Sequence, residues 1–74
     1  MRITVKLFAT LRSGRFDTET HEFSPGITIG EVIKKLGIPE KEVTLIFVNG
    51  RHADIHGTLT DEDTIGFFPP VGGG

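Results

Sequence analysis

A single short helix, set among segments that alternate like β-strands, limits the possible folds of this chain more than any other feature. Thr28 and Glu31 have the spacing of a capping box, which predicts that a helix begins there. Apolar residues then recur at helical spacing, namely Ile29, Val32, Ile33 and Leu36. Gly37 and Pro39 end the pattern. Because a helix of about two and a half turns is unstable alone, it must pack on a sheet.

The segments around this helix supply the sheet. The predicted strands are residues 2–7, 18–23, 43–48, 51–53 and 65–68. We expect the first two strands to form a hairpin whose loop lies between Arg12 and Asp17. The third strand is apolar on both faces, so we place it inside the sheet. Asn49-Gly50 after it predicts a tight turn into a short strand, and Pro69-Pro70 ends the last strand.

The order strand, strand, helix, strand, short strand, strand indicates an α+β domain. We expect a mixed sheet of four to five strands with one main helix packed on one face, which is the β-grasp, or ubiquitin-like, fold. Residues 1–70 should form this domain, and residues 71–74 a flexible C-terminal glycine tail, because nothing beyond Val71 could anchor it. At 74 residues the chain is too short for a second domain.

Composition argues against several functional classes. The chain has no Cys, which excludes a disulfide framework and a thiolate zinc site. Its formal net charge is −2, with acidic and basic residues interleaved, so a nucleic-acid partner is not expected. No apolar run is long enough to span a membrane, and no signal-peptide pattern opens the sequence, so we expect no membrane partner and a cytoplasmic location.

Two groups of potential metal ligands are better explained without a metal. His52 and His56 are four residues apart, but turn residues surround them and no third ligand is at hand. Asp61, Glu62 and Asp63 lack the longer, regular ligand spacing of a calcium loop. We therefore expect no bound metal.

The glycines at the end of the sequence suggest the function. Gly72, Gly73 and Gly74 follow Pro69-Pro70, a pair that favours a stiff segment projecting from the sheet. Without a Cβ, Gly73 and Gly74 can enter a narrow slot and present a carboxylate to a partner enzyme. Once adenylated, this carboxylate could pass to sulfur as a thiocarboxylate or to an amine as an isopeptide bond. The chain has no catalytic motif of its own, so it is predicted to be a carrier or substrate.

Four segments resemble one family, the MoaD/ThiS-type ubiquitin-like sulfur carriers, and in particular the small subunit of molybdopterin synthase. Residues 67–74 resemble its F-P-P-V-x-G-G terminus, residues 7–12 its L-F-A-x-L-R signature and residues 48–50 its V-N-G turn. Residues 59–63 resemble its L-x-D-x-D segment, with Glu62 where the family usually has glycine.

The resemblance implies a carrier whose last glycine is adenylated by an E1-like enzyme using ATP. A sulfurtransferase would supply the sulfur for a thiocarboxylate, and the tail would then insert into the large subunit of the synthase, the MoaE-type protein. There it would donate sulfur to precursor Z (cyclic pyranopterin monophosphate), building the dithiolene of molybdopterin. Catalytic bases and pterin-binding groups would belong to the large subunit. No cofactor bound to the chain itself is implied.

These expectations assign roles to particular residues. Gly74 would carry the acyl-adenylate and the thiocarboxylate, and Gly72 and Gly73 would thread into the partner. The residues predicted to contact partners are Phe8, Arg12, Leu59, Phe67, Phe68, Pro69, Pro70 and Val71. Strand alternation places one of Phe67 and Phe68 in the core and the other outward.

Three alternatives to this function stay open on the sequence alone. The chain could be a ubiquitin-like modifier joined to lysines of target proteins. It could carry sulfur for another pathway, since carriers for thiamine, tungsten cofactor or cysteine synthesis share the diglycine. It could also be an interaction module whose tail has no role.

Overall fold

The computed structural model describes residues 1–70, and the predicted glycine tail at residues 71–74 lies outside the described residues. The elements of the described part are β1 (Arg2–Leu7), a 3₁₀ turn (Ala9–Arg12), β2 (Thr18–Glu22), α1 (Ile29–Lys35), a 3₁₀ turn (Glu40–Glu42), β3 (Leu45–Val48), β4 (Arg51–Ala53) and β5 (Thr64–Phe68). The sheet order is β2-β1-β5-β3-β4, with β1 and β5 parallel and the other neighbours antiparallel. The predicted β-grasp fold is confirmed.

Both ends of α1 are fixed by the residues that predicted them. The Thr28 Oγ1 accepts from the amide of Glu31 at 3.2 Å, and the Glu31 carboxylate accepts from the amide of Thr28 at 2.8 Å. At the other end Gly37 adopts a φ of +72°, and the amide of Ile38 donates to the carbonyl of Ile33 at 3.2 Å. This is a Schellman ending, in which a left-handed glycine lets the chain turn back to the helix. The predicted limits of the helix are confirmed.

The core lies between α1 and one face of the sheet. Its fully buried side chains are Ile3, Val5 and Leu7 of β1, Leu11, Ile29, Val32 and Ile33 of α1, and Ile65 and Phe67 of β5. Burying each such side chain contributes about 1.5–3 kcal/mol, before the cost of ordering the chain. None of the helices within residues 1–70 combines the length and hydrophobicity needed to cross a membrane.

The connection between β1 and β2 is longer than predicted. We expected the loop between Arg12 and Asp17, but β1 ends at Leu7 and the chain enters a 3₁₀ turn at Ala9. That turn places Leu11, only 1% exposed, in the core. The burial of Leu11 explains why the apolar signal continues beyond β1 although the strand has ended.

β3 lies between β5 and β4, as predicted, but it begins at Leu45 rather than at residue 43. The turn after it has Asn49 at φ +51° and Gly50 at φ +82°, the two positive angles of a type I′ hairpin turn. The side chain of Asn49 also accepts from the amide of Thr64 at 2.9 Å. The turn is thereby attached to the first residue of β5.

Asp63 joins this turn to the loop before β5. Its carboxylate accepts from the Asn49 side-chain amide at 2.8 Å and from the backbone amide of Thr60 at 2.8 Å. Partial desolvation tends to raise the pKa of Asp63, but the hydrogen bonds from Thr60 and Asn49 together outweigh it and hold the pKa below its usual value. The ionised form of Asp63 therefore stabilises the folded state.

Replacing Asp63 by Asn should lower the free energy of unfolding at neutral pH by about 1–2 kcal/mol, because hydrogen bonds to a charged acceptor are lost. The pKa of Asp63 is lowered on folding, so its contribution is present above the unfolded-state pKa and is lost as the pH falls through the folded-state pKa. Urea unfolding between about pH 5 and about pH 2 should show the two proteins converging in stability. A difference in the free energy of unfolding that stays constant with pH would contradict this. Glu40→Gln, which changes an exposed carboxylate, is the control.

Glu62 occupies a conformation that favours glycine. Its φ is +72°, and its amide donates to the carbonyl of Arg2 at 2.8 Å, which holds the backbone in place. A residue with a Cβ costs roughly 1–2 kcal/mol in the left-handed region. The strain therefore lies at the one position of the L-x-D-x-D segment where the family that this sequence resembles usually has glycine.

Replacing Glu62 by Gly should raise the free energy of unfolding by about 0.5–1 kcal/mol, since relief of the strain outweighs the added freedom of the unfolded chain. Glu62→Ala keeps the Cβ and should change stability little. Thermal unfolding followed by circular dichroism measures both variants. Equal effects of Gly and Ala would show that the side chain, and not the backbone angle, matters.

Candidate partner-binding surface

Three phenylalanine rings lie together on the face of the sheet that α1 does not cover. The rings of Phe8 and Phe68 stack with their centroids 4.2 Å apart and an interplanar angle of 2°. Phe47 meets Phe68 edge to face, at 5.6 Å and 82°. Such aromatic pairs contribute about 0.5–1.5 kcal/mol beyond the area they bury. We call Phe8, Phe47 and Phe68 the aromatic surface.

Gly66 leaves room for the ring of Phe8 on this face. In the sheet register Gly66 lies between Lys6 of β1 and Phe47 of β3. A Cβ on Gly66 would lie 3.1 Å from Cε2 of Phe8, closer than such contacts normally come. The ring of Phe8 can therefore lie over β5 and stack on Phe68 because residue 66 has no side chain.

The aromatic surface forms one wall of a shallow groove of about 390 Å³. The residues that line the groove are Lys6, Phe8, Phe47, Gly50, Thr64, Gly66 and Phe68. Clustered apolar side chains that remain open to solvent are typical of surfaces that bind another macromolecule or a ligand.

The groove lies beside the point where the chain leaves the sheet. Phe68 is the last residue of β5, and its carbonyl accepts from the amide of Thr44 at 2.8 Å. Pro69 and Pro70 follow it directly, the first half-buried and the second exposed. A partner that binds the aromatic surface would therefore contact the residues that lead into the tail.

The glycines and Val71 lie outside the described residues, so their roles stay predictions. Gly74 is predicted to carry the acyl-adenylate and the thiocarboxylate. Gly72 and Gly73 are predicted to thread into a partner, and Val71 is predicted to contact one. Within the described part, Phe68 and Phe8 face outward as partner contacts would, and strand alternation correctly divided Phe67 from Phe68.

Two predicted partner contacts are buried instead. Phe67 is 0% exposed, because it points toward α1 from the inner face of β5. Leu59 is 5% exposed. The loop before it is hydrogen-bonded to the start of α1, where the amide of Ile29 donates to the carbonyl of Gly57 at 2.9 Å. Phe67 and Leu59 are core residues of this structure and do not belong to the aromatic surface.

Arg12 lies at the end of the 3₁₀ turn that follows Phe8. Its side chain is 49% exposed and its guanidinium lies 3.5 Å from the carboxylate of Asp17. An exposed ion pair of this kind is worth about 0–1 kcal/mol, so Arg12 could exchange Asp17 for another acidic group at little cost. Its contact with a partner stays a prediction.

Sequence reasoning missed Phe47 and Lys6. The third strand lies inside the sheet as predicted, but its Phe47 is only half-buried and was not predicted to belong to a partner-binding surface. One signal could have identified it. Successive side chains of a strand point to opposite faces of the sheet, and a single helix covers only one face, so some apolar side chains of β3 must remain uncovered. Lys6 gave no signal, because its position beside Phe8 and Gly66 depends on the pairing of β1 with β5.

The histidines and carboxylates set aside as metal ligands have other neighbours. His52 meets the ring of Phe47 edge to face, at 5.7 Å and 75°. One oxygen of Asp61 accepts from the amide of Arg2 at 2.7 Å. Over residues 1–70, no three His, Asp or Glu side chains are grouped as metal ligands would be.

Replacing Gly66 by Ala should displace the ring of Phe8 while the fold is retained, since the added Cβ meets the ring and not the backbone. Proton NMR would detect this as a loss of the ring-current shifts that stacked Phe8 and Phe68 impose on each other. Thr64→Ala, on the same face of β5, should leave those shifts in place. Unchanged Phe8 and Phe68 resonances in Gly66→Ala would refute the role given to Gly66.

The fold and this surface together define a small ubiquitin-like protein. The family model described as "ThiS family" matches residues 5–74, and the chain belongs to this family. The match spans the aromatic surface and continues through the final glycines. The search of curated proteins gave no significant match.

Solved structures of the same fold cover nearly the whole chain. A Pyrococcus furiosus protein assigned provisionally as molybdopterin converting factor subunit 1 is 31% identical, with a TM-score of 0.76 over 96% of this chain and 99% of its own. A second match is a chain of the Helicobacter pylori complex of subunits 1 and 2 of molybdopterin-converting factor. It is 26% identical, with a TM-score of 0.67 over 100% of both chains. The Haloferax volcanii small archaeal modifier protein 1 is 22% identical, with a TM-score of 0.75 over 95% of this chain and 98% of its own, and shows the fold alone.

The chain is thus a sulfur carrier or ubiquitin-like small protein of the ThiS/MoaD fold. Both kinds of protein share the β-grasp domain. The fold therefore does not distinguish transfer of sulfur from attachment to other proteins.

Proposed function

We propose that this chain is a sulfur carrier and acts as the small subunit of molybdopterin synthase in molybdenum cofactor biosynthesis. The observation that carries the proposal is the sequence Phe-Pro-Pro-Val-Gly-Gly-Gly at residues 68–74, which begins at the last residue of β5 and lies within the ThiS family match. In this proposal the carboxylate of Gly74 is the reacting group: glycine has no Cβ that would shield it, and a proline pair favours an extended segment before it.

The chemistry proceeds in two displacements at the carboxylate of Gly74. In the first, a carboxylate oxygen attacks the α-phosphorus of ATP and pyrophosphate leaves, which gives an acyl-adenylate. In the second, hydrosulfide, released when thiols reduce the persulfide of a sulfurtransferase and are themselves oxidised to a disulfide, attacks the carbonyl carbon; AMP leaves, a proton is lost, and the thiocarboxylate forms. An E1-like partner binds the ATP, so the chain itself carries no bound cofactor.

The likeness to molybdopterin converting factor subunit 1 supports the choice of pathway. That likeness is 31% identity over almost the whole chain, and a second solved relative is a complex of subunits 1 and 2. By analogy, the partner that consumes the thiocarboxylate is a MoaE-type large subunit, which supplies the catalytic groups. We place both steps in the cytoplasm.

The aromatic surface is the docking site in this proposal. Phe68 connects it to Pro69-Pro70, so a protein bound over Phe8 and Phe68 would receive the tail beside its own surface. Binding energy gained at the rings can then hold the reacting carboxylate in place.

Incubation with the adenylating enzyme of the same genome, ATP and a sulfur source should raise the intact mass by one oxygen-for-sulfur exchange. Removal of Gly73 and Gly74, which leaves no diglycine end, should abolish the exchange and leave thermal unfolding unchanged, because α1 and the sheet make the core. Intact-protein mass spectrometry and circular dichroism measure the two effects. Equal mass gain with and without Gly73 and Gly74 would contradict the proposal.

Two further outcomes would assign another function. Recovery of higher-mass conjugates, with Gly73-Gly74 remnants on lysines of other proteins, would identify a modifier. Formation of the thiocarboxylate without sulfur transfer to the pterin precursor, in the presence of the large subunit, would identify a carrier for another pathway. If growth that depends on molybdenum cofactor survives deletion of Gly73 and Gly74, the tail is not required. The chain would then be an interaction module whose tail has no role.

A further inference from the structure

Among residues 1–70, Lys6 is the only charged side chain that lines the groove. It is exposed, and it lies on β1 two residues before Phe8 and opposite Gly66 of β5. Within residues 1–70 its ammonium group takes part in no ion pair and no side-chain hydrogen bond. A positive charge without a partner therefore lies at the edge of the aromatic surface.

The residue opposite Lys6 on β2 is the uncharged Thr18, and the carboxylates on either side of Thr18 have other partners. Asp17 lies 3.5 Å from the guanidinium of Arg12, and Glu19 lies 3.0 Å from Nε2 of His21. No Asp or Glu lines the groove in the described part of the chain. The groove is thus apolar with a positive edge, and this charge distribution complements an apolar group accompanied by an acidic one.

We propose that the groove binds an apolar side chain of the large subunit and that a neighbouring Asp or Glu of that subunit pairs with Lys6. The inference rests on the proposed function and specifies the chemistry of its docking site. Apolar contact with the rings of Phe8, Phe47 and Phe68 supplies affinity but little direction. The ion pair with Lys6 fixes how the partner lies on the sheet, and with it the direction in which Phe68 delivers the tail.

Charge reversal at Lys6 tests this directly. Lys6→Glu should weaken binding to the purified large subunit of the same genome about tenfold, because an attraction becomes a repulsion. Lys6→Gln should give a smaller loss. Lys41→Glu makes the same change of net charge in the exposed 3₁₀ turn Glu40–Glu42 and should stay within about twofold of wild type. Isothermal titration calorimetry at low and high salt measures the affinities, and the penalty of Lys6→Glu should shrink as salt rises.

A second variant identifies the acidic group. Reversing the responsible Asp or Glu of the large subunit to Lys should restore the binding of Lys6→Glu, and circular dichroism should show that Lys6→Glu unfolds like wild type. If wild type binds and Lys6→Glu binds as well as Lys41→Glu does, the ion pair is refuted while the proposed function stands. If the thiocarboxylate forms but wild type does not bind the large subunit, both the docking site and the synthase role are refuted.

Discussion

A single helix can cover only one face of the sheet, and the rest of the structure depends on this limit. α1 has seven residues, and its Ile29, Val32 and Ile33 share one core cluster with side chains of the sheet. Within residues 1–70, side chains on the other face have no second layer to pack against. Phe8, Phe47 and Phe68 therefore pack on one another and remain partly exposed. An exposed aromatic surface therefore results from the fold itself.

Neighbouring residues of β5 lie on opposite faces of the sheet, one in the core and the other on the aromatic surface. Phe67 is completely buried under α1, whereas Phe68 forms the centre of the aromatic surface and leads into the two prolines. Loss of the ring at position 67 leaves a cavity in the core, which costs about 3–5 kcal/mol in typical proteins. Loss of the ring at position 68 removes mainly surface contacts. Gly66, before them, supplies neither a contact nor a core side chain and acts through the space it leaves for Phe8.

Features encoded within a few residues could be predicted from the sequence. The capping box at Thr28, the ending at Gly37 and the turn at Asn49-Gly50 each depend on local hydrogen bonds and backbone angles, and the structure confirms all three. Features that depend on distant segments could not be predicted. The 3₁₀ turn forms because Leu11 reaches a core built from other elements, and the groove beside Lys6 forms where β1, β5 and β3 meet.

In the proposed function the docking surface is separate from the reacting group, and this arrangement suits a carrier that serves more than one enzyme. An activating enzyme and an accepting enzyme catalyse different displacements, so their active sites cannot share the same catalytic groups. They can share the aromatic surface, because apolar contact with three rings is independent of the chemistry at Gly74. The affinity gained at that surface offsets the entropy lost when the tail is ordered in either active site. The carrier must also be released between the two enzymes, so the contacts made at the aromatic surface must be reversible.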